Sequence, residues 1–507
     1  MPAYDQLLKL ASLQQFNAST RLNYLANLTE EARERKDNAG LQKVIVFIKQ
    51  ESPEQLTDDA RFVFHYNASN AYAYIVQISD TDLPLRFEDL NTKETEQEII
   101  HLRKAFMLLE HAPTKLLKAQ VCTNIGNSLS HVGRFVEAID YWKKAVRFVS
   151  NFGMATGNLG KSLLHYAHLH YDEGQRYLMG KFAYDQLKRA IRQKGTYSEA
   201  KAIFKKHATD IENYYGKKNL KITEELDNFS SSGRSNMEKD YREWCLYNTL
   251  FVNPLNDVTD RNIANADTLF LPSLPAISIE PPFVYTLFNQ IKQEYVSARF
   301  LFFEGLHTDK SHFSDRGNMQ MDTLDYAIYG FNTEKLKIAY RLLYSLFDKV
   351  GFLLNDYFKL DKEHNRISLR TIWYKDPKKK QVYEQFTKTT NWPLRGLFWL
   401  SKDLVETESE LSSSMLPDAK EIVTVRNFIE HKSFKIVMEG QTQMTDNGLT
   451  YSIAFNDFYA KTMTLLKLSR AALIYLAMAI YQEERKRPRK GLIMPMYLPE
   501  MQHQYKK

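Results

Sequence analysis

Apolar and small residues recur at helical spacing along residues 122–145 and divide this segment into two halves. Gly133 stands between the halves, and the key positions on its two sides are Ile125, Gly126 and Leu129, then Ala138, Trp142 and Ala145. Gly126 and Ala138 allow two helices to approach closely, and Gly133 suits a turn between them. The pattern predicts two antiparallel helices, with Trp142 and Ala145 on the inner face of the second.

A second unit of the same kind follows at a fixed distance. Leu159-Gly160 lies 34 residues after Ile125-Gly126, and Ala183, Leu187 and Ala190 repeat the spacing of Ala138, Trp142 and Ala145. Its halves are eleven residues further apart, which predicts a longer first helix or an insertion near Asp172-Glu173-Gly174. A weaker third pair combines Phe62–Val76 with Glu98–Leu109. A 34-residue period is typical of tetratricopeptide repeats (TPR), so we predict a TPR-like array of helical hairpins over residues 1–221. An irregular hairpin array is the alternative, and it has much the same architecture.

The helical pattern breaks between residues 222 and 282. Ser230 to Gly233 form a loop signal, and prolines exclude a long helix: Pro254, Pro272, Pro275, Pro281 and Pro282. We therefore predict a linker or junction over residues 222–282. Its segment Trp244–Val258 is apolar enough to be ordered against a neighbouring surface.

Helical periodicity returns over residues 283–507. The predicted helices are Phe283–Gly305, Lys335–Leu360, Gln381–Glu406 with a restart at Pro393, Asp418–Val437 and Ala454–Arg485. Tyr451–Ala454 is predicted to be a short extended connection, and Lys486–Lys490 is a basic run. Five such helices predict an antiparallel bundle, so the fold class is all-α throughout.

The composition narrows the cellular setting. Two cysteines, Cys122 and Cys245, cannot build a disulfide framework, which predicts a reducing, cytoplasmic location. The N-terminal residues contain Asp5 and no apolar run, so no signal peptide is expected. The most apolar stretch, Ala471–Ile480, has ten residues and predicts a buried core helix with no membrane association. A net charge of +7 favours anionic partners, although it also fits ordinary solubility charge.

The candidate chemistry lies in Arg426-Asn427-Phe428-Ile429-Glu430-His431. Arg offers a permanent planar cation that suits phosphate, and His can transfer a proton near neutral pH. Residues i and i+5 of a helix point about 140° apart, so a working site needs His431 and Asn427 to line a cleft with Arg426 at its edge, or two copies to converge. The spacing alone also fits a solvated ion pair between Arg426 and Glu430.

The motif is the last of three stretches that occur in a recognisable order: Tyr340–Asn355, Asn391–Asp403 and Arg426–His431. Together with looser matches at Gln293–Arg299 and Asn253–Asp257, they resemble the HEPN superfamily, in particular the group in which TPR-like helices precede the HEPN domain. The resemblance implies an all-helical bundle that dimerises and brings two Arg-x4-His motifs together.

The resemblance also implies an activity. It is metal-independent endonuclease cleavage of RNA by the ribose 2′-hydroxyl, with Arg426 stabilising the transition state, His431 as acid or base, and Asn427 orienting the pair. Such proteins are often toxins or antiviral-defence effectors. Some carry a Tyr two residues after the His, which a partner enzyme modifies. Ser433 stands there in this chain, so control by the repeats, through a protein or peptide trigger, is the simpler expectation.

Two other functions remain open. The repeats could make the protein a non-catalytic adaptor that dimerises through its bundle, or Arg426 could hold a small nucleotide without cleavage. No cofactor and no metal site are predicted. His165, His168 and His170 do not share one helical face, which favours surface or packing roles.

Overall fold

The computed structural model describes residues 4–79, 86–90, 92–221, 226–227, 233–274, 283–308, 310–322, 324–363, 366–376, 378, 380–404, 416, 419–438 and 448–487. Within these ranges the chain forms 18 α-helices and two small two-stranded sheets. The all-α prediction is therefore confirmed. The basic run that begins at Lys486 lies mostly outside the described residues.

Eleven helices make up the first 221 residues. They are α1 (Tyr4–Leu8), α2 (Ala18–Glu34), α3 (Asn38–Gln50), α4 (Asp58–Ser79), α5 (Phe87–Leu90), α6 (Lys93–Met107), α7 (Lys115–His131), α8 (Phe135–Phe148), α9 (Gly153–His168), α10 (Glu173–Arg192) and α11 (Ser198–Tyr215). Several begin at a polar residue that caps the first turn. Thr114 accepts a hydrogen bond from the Leu117 amide at α7, and Asp172 accepts one from Gln175 at α10.

Four pairs of these helices pack side by side as hairpins: α2 with α3, α4 with α6, α7 with α8, and α9 with α10. The predicted unit over 122–145 is α7 and α8. An added Cβ on Gly126 would lie 2.6 Å from the Trp142 indole nitrogen, so only glycine permits this packing distance. The wider second unit is explained by α10, which has 20 residues against 14 in α8. Helices α4 and α6 form the weaker third pair.

The junction contains a packed segment between residues 233 and 274. Helix α12 (Asn236–Asn248) is followed by buried Leu250, Phe251, Val252 and Leu255, so the prediction of an ordered segment at 244–258 is confirmed. Asp257 is buried and pairs with Arg470 at 2.7 Å. The division into residues 1–221, 222–282 and 283–507 stays a prediction, and one hydrophobic core runs across it from Phe62 to Ile480.

The C-terminal part is built around one long helix. Its helices are α13 (Phe283–His307), α14 (Phe331–Phe358), α15 (Glu384–Thr387), α16 (Trp392–Ser401), α17 (Ala419–His431) and α18 (Phe455–Lys486). Helix α18 contacts α13, α14 and α16. It is long and apolar enough to cross a membrane, but 89% of its most apolar window is buried inside the protein, as expected for a core helix.

The region after Arg426 corrects the predicted helix Asp418–Val437. Helix α17 ends at His431, and Ser433–Val437 is a strand. The strands are β1 (Tyr374–Asp376), which pairs with β2 (Gln381–Val382), and β3 (Ser433–Val437), which pairs in parallel with β4 (Thr450–Ala454). Phe434 and Ile436 are buried while the residues before each are more exposed, which is the alternation of a strand. Strand β4 confirms the extended connection at 451–454, whereas β2 replaces the helical start predicted at Gln381.

The α7–α8 hairpin and helix α16 of the C-terminal part meet at a backbone contact between two glycines. Gly133, with φ +93°, follows α7, and an added Cβ on it would lie 2.3 Å from the Trp392 carbonyl oxygen. An added Cβ on Gly396 of α16 would lie 2.3 Å from the Gly133 carbonyl oxygen. The Ser130 carbonyl, at the end of α7, accepts a hydrogen bond of 2.8 Å from the Trp392 indole. The turn after α7 therefore rests directly on α16.

This contact predicts the effect of Gly396→Ala. Alanine favours a helix by about 1 kcal/mol over glycine, but here the new methyl group would overlap a main-chain oxygen that cannot rotate away. We expect the free energy of unfolding to fall by about 1–3 kcal/mol, the usual cost of overpacking, measured by urea denaturation of the full chain.

The matched control is Gly174→Ala, at the start of α10. The nearest atom to an added Cβ there is 3.3 Å away and belongs to the Asp172 side chain. This substitution should leave stability unchanged or raise it by up to about 1 kcal/mol. Equal effects of the two substitutions would show that the glycine contact does not constrain the fold.

Candidate active site

Helix α17 carries Arg426, Asn427 and His431 outside its buried face. Its inner side is fixed by Ile422, Val425 and Phe428, which are buried, and by a hydrogen bond of 2.8 Å from the Tyr340 hydroxyl to the Ile422 carbonyl. Because Val425 and Phe428 point inward, the helical period turns the next polar positions toward solvent.

Arg426 is held by three neighbours. Its guanidinium carbon lies 5.4 Å from the ring centre of Tyr344, and its Nη1 donates to Asn427 Oδ1 at 3.0 Å. Its Nε lies 3.2 Å from Glu430 Oε2, an ion pair between residues four apart. Arg has five N–H donors, and the described residues engage few of those of Arg426. The side chain is thus oriented and still able to bind an anion.

His431 is the last residue of α17, and its side chain is 68% exposed. Its Nε2 lies 3.5 Å from Glu430 Oε2, the same oxygen that contacts Arg426. The two motif side chains therefore meet at one carboxylate, although their directions on the helix differ by about 140°. The i, i+4 spacing predicts Glu430 only as a partner of Arg426. Its position directly before His431 is the sequence signal for its contact with the imidazole.

A cleft of about 1030 Å³ opens beside Arg426. Helix α14 contributes Tyr344, Phe347 and Asp348 to its lining, and the chain between residues 366 and 381 contributes most of the rest. The lining contains five basic and two acidic side chains: Arg366, Arg370, Lys375, Lys378 and Arg426, with Asp348 and Asp376. Such a surplus of positive charge in a concave surface favours an anionic ligand.

The single-chain arrangement differs from the first of the two that the sequence predicts, His431 and Asn427 in the cleft with Arg426 at its edge. Arg426 is the motif residue that lines the cleft, and the alternative of two converging copies stays a prediction. The helix ends at His431, whose imidazole is exposed to solvent and is not part of the cleft lining. One chain thus combines an arginine that lines a basic cleft with an accessible histidine that contacts the same carboxylate.

The other histidines considered from the sequence have packing contacts. His170 is buried and stacks on Tyr166, with ring centres 5.1 Å apart, and His165 lies edge-on to Trp392 at 6.0 Å. Among the described residues, no group of three or more His, Cys, Asp or Glu is placed to hold a metal ion.

Comparison with known proteins identifies the C-terminal half. Residues 277–483 match the family model described as LA2681-like HEPN. No curated protein and no solved structure matched the chain, and no family match covers the N-terminal hairpins. The matched range contains α13 to α17, all of α18 but its last three residues, the basic cleft and the whole Arg426–His431 motif. Residues 277–483 therefore form a HEPN-family domain of the LA2681-like type.

Proposed function

We propose that the HEPN domain is an endoribonuclease in which Arg426 and His431 cleave RNA and Asn427 orients Arg426. One observation carries the proposal: Arg426 enters a basic cleft and shares the Glu430 carboxylate with His431, all within the family match. A nuclease of this kind would stop growth by destroying RNA, which fits a toxin or antiviral-defence effector.

The chemistry follows from the two side chains. The ribose 2′-oxygen attacks the neighbouring phosphorus, the bond from phosphorus to the 5′-oxygen breaks, and a cyclic phosphate remains. His431 takes the proton from the 2′-hydroxyl or gives one to the leaving 5′-oxygen. Arg426 donates hydrogen bonds to the phosphate oxygens as negative charge develops on them. The step consumes no other reactant.

The mechanism predicts how loss of His431 or Arg426 changes cleavage. In a cleavage assay of total RNA by the purified full chain, His431→Ala should lower the rate by about 10²–10⁴-fold because it removes the proton transfer. Arg426→Ala should lower it by about 10²–10³-fold because it removes charge stabilisation. RNA fragments should end in 2′,3′-cyclic phosphate, with chelator present or absent.

Two matched controls lie in the repeats. Arg35 stacks on Tyr4 at 4.5 Å and pairs with Glu31, as Arg426 does with Tyr344 and Glu430. His111 is partly exposed and lies 2.9 Å from an Asp59 carboxylate oxygen. Arg35→Ala and His111→Ala should cleave RNA as the wild type does. If the wild type and all four variants behave alike, the function of a non-catalytic adaptor is favoured. Binding of a small nucleotide without cleavage would favour the alternative in which Arg426 only holds that nucleotide.

A further prediction concerns two lysines in the lining of the cleft. Lys375 and Lys378 are exposed there, and each would neutralise a phosphate of bound RNA. In a His431→Ala background, Lys375→Gln with Lys378→Gln should weaken single-stranded RNA binding and lower the slope of log affinity against log salt by about 1.4. The control pair is Lys205→Gln with Lys206→Gln, on exposed positions of α11. An equal slope in both variants would place the RNA elsewhere.

We further propose that a second copy of the chain completes the site. In-line cleavage needs one group to accept a proton and another to donate one on the opposite side of phosphorus, and the motif supplies one histidine. The chain around β3 and β4 exposes unusually many apolar side chains. Leu324, Tyr326, Met438 and Leu449 lie on the segments beside these strands, and Phe313, Met319 and Met321 precede them in sequence; all seven are 57–95% exposed.

This apolar surface adjoins the strand that follows His431. The Met438 amide donates to the Tyr326 carbonyl at 3.3 Å, and the Ser433 amide donates to the Leu449 carbonyl at 3.1 Å. Exposed apolar clusters of this size mark interaction sites. Because Leu449 is hydrogen-bonded to Ser433, two residues after His431, a copy bound at this surface would bring its own motif close.

The third prediction tests this surface. Met319→Glu with Met321→Glu should convert a dimer into a monomer in analytical ultracentrifugation and abolish cleavage, because charge is introduced into an apolar interface. Met107→Glu, at a 60% exposed position of α6, is the control and should change neither property. A wild-type chain that cleaves RNA while monomeric would contradict the shared site.

A further inference from the structure

A concave surface outside the HEPN domain lies at the C-terminal end of α10. It has a volume of about 540 Å³, and we call it the α10 pocket. Its lining comes from the last turns of α10, from Gln193 after them, and from Asn151 in the loop between α8 and α9. Four basic side chains and one acidic side chain take part: Lys188, Arg189, Arg192 and Lys194, with Asp185. None of these residues lines the basic cleft.

The positive surplus of the whole chain is concentrated in this part of the sequence. Residues 181–221 contain eleven Lys and Arg against four Asp and Glu, a surplus of seven, which equals the net charge of the full chain. The other 466 residues carry 57 charges of each sign. Charge that serves only solubility is mixed over a surface, so it does not account for this concentration. Four of the eleven cations converge on the α10 pocket.

The cations of the α10 pocket are poorly balanced by carboxylates. Lys188 Nζ lies 3.5 Å from a Glu212 carboxylate oxygen, which is a long ion pair. Arg192 and Lys194 are exposed and form no ion pair among the described residues. Lys188 and Arg192 are also four residues apart on α10, a spacing at which like charges repel each other. A bound anion would relieve this repulsion.

Two hydrogen bonds hold the end of α10 against the loop that precedes α9. Arg189 Nη2 and Gln193 Nε2 both donate to the Ser150 carbonyl, at 3.0 and 3.2 Å. Gln193 is only 8% exposed, so this side of the pocket is fixed by packing as well. A ligand would therefore find the wall already formed, which lowers the entropic cost of binding.

Helix dipoles do not account for the four cations. The C-terminus of α10 carries about half a negative charge, which four cations far exceed. The contacts to Ser150 also place it beside the start of α9 at Gly153, where Phe152 makes no side-chain hydrogen bond to the first turn. That N-terminus carries about half a positive charge. The two helix ends thus cancel, and the side chains give the pocket its charge.

We infer that the α10 pocket binds a small anion with two or more linked phosphates. Lys188, Arg189 and Arg192 lie within about 6 Å along the helix axis, so they act on one short group. Arginine presents a planar set of donors to phosphate oxygens, and lysine adds a point charge. A long nucleic acid commonly needs about six to ten phosphate contacts along a track, which one concave spot does not supply.

The same lining has groups that suit a nucleotide. The Tyr184 ring offers a face for stacking of a base, and the Asn151 amide offers a donor and an acceptor to a base or ribose. A free polyphosphate chain and a nucleoside triphosphate share the phosphate chemistry, and they differ only in their use of these two residues.

Isothermal titration calorimetry of the full chain without RNA tests the inference. The probes are inorganic phosphate, sodium tripolyphosphate and ATP, at about 0.15 M salt. We expect tripolyphosphate and ATP to bind with Kd below about 100 µM. Inorganic phosphate should bind about tenfold more weakly or worse, because one phosphate reaches fewer of the cations. Equal affinity for the two longer probes identifies a site for the phosphate chain alone, and tighter binding of ATP adds contact with the nucleoside.

The test variant is Arg192→Gln with Lys194→Gln, which removes the two cations that have no ion pair and keeps the contacts to Ser150. Binding of tripolyphosphate should weaken about tenfold or more, because charge-assisted hydrogen bonds are lost. Ligand that binds only the folded state raises Tm, so tripolyphosphate should raise the Tm of the wild type and leave that of this variant nearly unchanged. The Tm without ligand shows that the variant is folded.

Two charge-matched controls locate the site. Lys205→Gln with Lys206→Gln removes two positive charges from exposed positions of α11, outside the pocket and within the same basic segment. Lys375→Gln with Lys378→Gln removes two from the basic cleft. Both variants should bind tripolyphosphate as the wild type does.

Three results would overturn the inference. The first is a Kd above about 100 µM for both tripolyphosphate and ATP. The second is equal weakening in the test variant and in either control, which would indicate diffuse attraction or binding in the cleft. The third uses the His431→Ala background: single-stranded RNA that depends on Arg192 and Lys194 would make the surface a nucleic-acid contact. Binding is measured without cleavage, so failure here leaves the ribonuclease proposal untouched.

Discussion

Asp403 is the buried charge on which the contact between the N-terminal hairpins and the HEPN domain depends. Its two oxygens lie 2.6 and 2.7 Å from Arg103 on α6 and Arg134 before α8. Burial alone would raise the pKa of the Asp403 carboxyl, but the two guanidinium groups lower it below its ordinary value. A buried carboxylate without such partners costs several kcal/mol, so the hairpins and the end of α16 are stable only in contact.

The same contact fixes one wall of the basic cleft. Leu404 follows Asp403 and lines the cleft, and its carbonyl accepts a hydrogen bond of 2.8 Å from Arg370, another lining residue. Arg134 also pairs with Glu137, whose other oxygen accepts from the Tyr475 hydroxyl of α18. The position of the cleft therefore depends on residues contributed by the N-terminal hairpins, far from Arg426 in sequence.

Local patterns predicted the helices because helical contacts are local. Gly126 and Trp142 pack within one hairpin, and Asn391 with Pro393 starts α16, so a short window contains the whole signal. The sequence prediction placed Ser433–Val437 in a helix, which is wrong. The parallel partner of β3 begins seventeen residues later, and a short apolar run fits either a helix or a strand. The Arg426–His431 motif was found by spacing, but the direction of Arg426 depends on Tyr344, on another helix.

A groove of about 420 Å³ between the hairpins is connected to the basic cleft through rigid structure. Helix α7 lines this groove with Asn124 and Asn127, and its end rests on α16 through the Gly133–Gly396 contact. Helix α16 leads to Asp403 and Leu404, which reach the basic cleft. Main-chain atoms in direct contact cannot yield as side chains do, because they have no rotamers to exchange. Any ligand that changed the tilt of α7 would have to move α16. Leu404, which follows α16 and lines the cleft, would move with it.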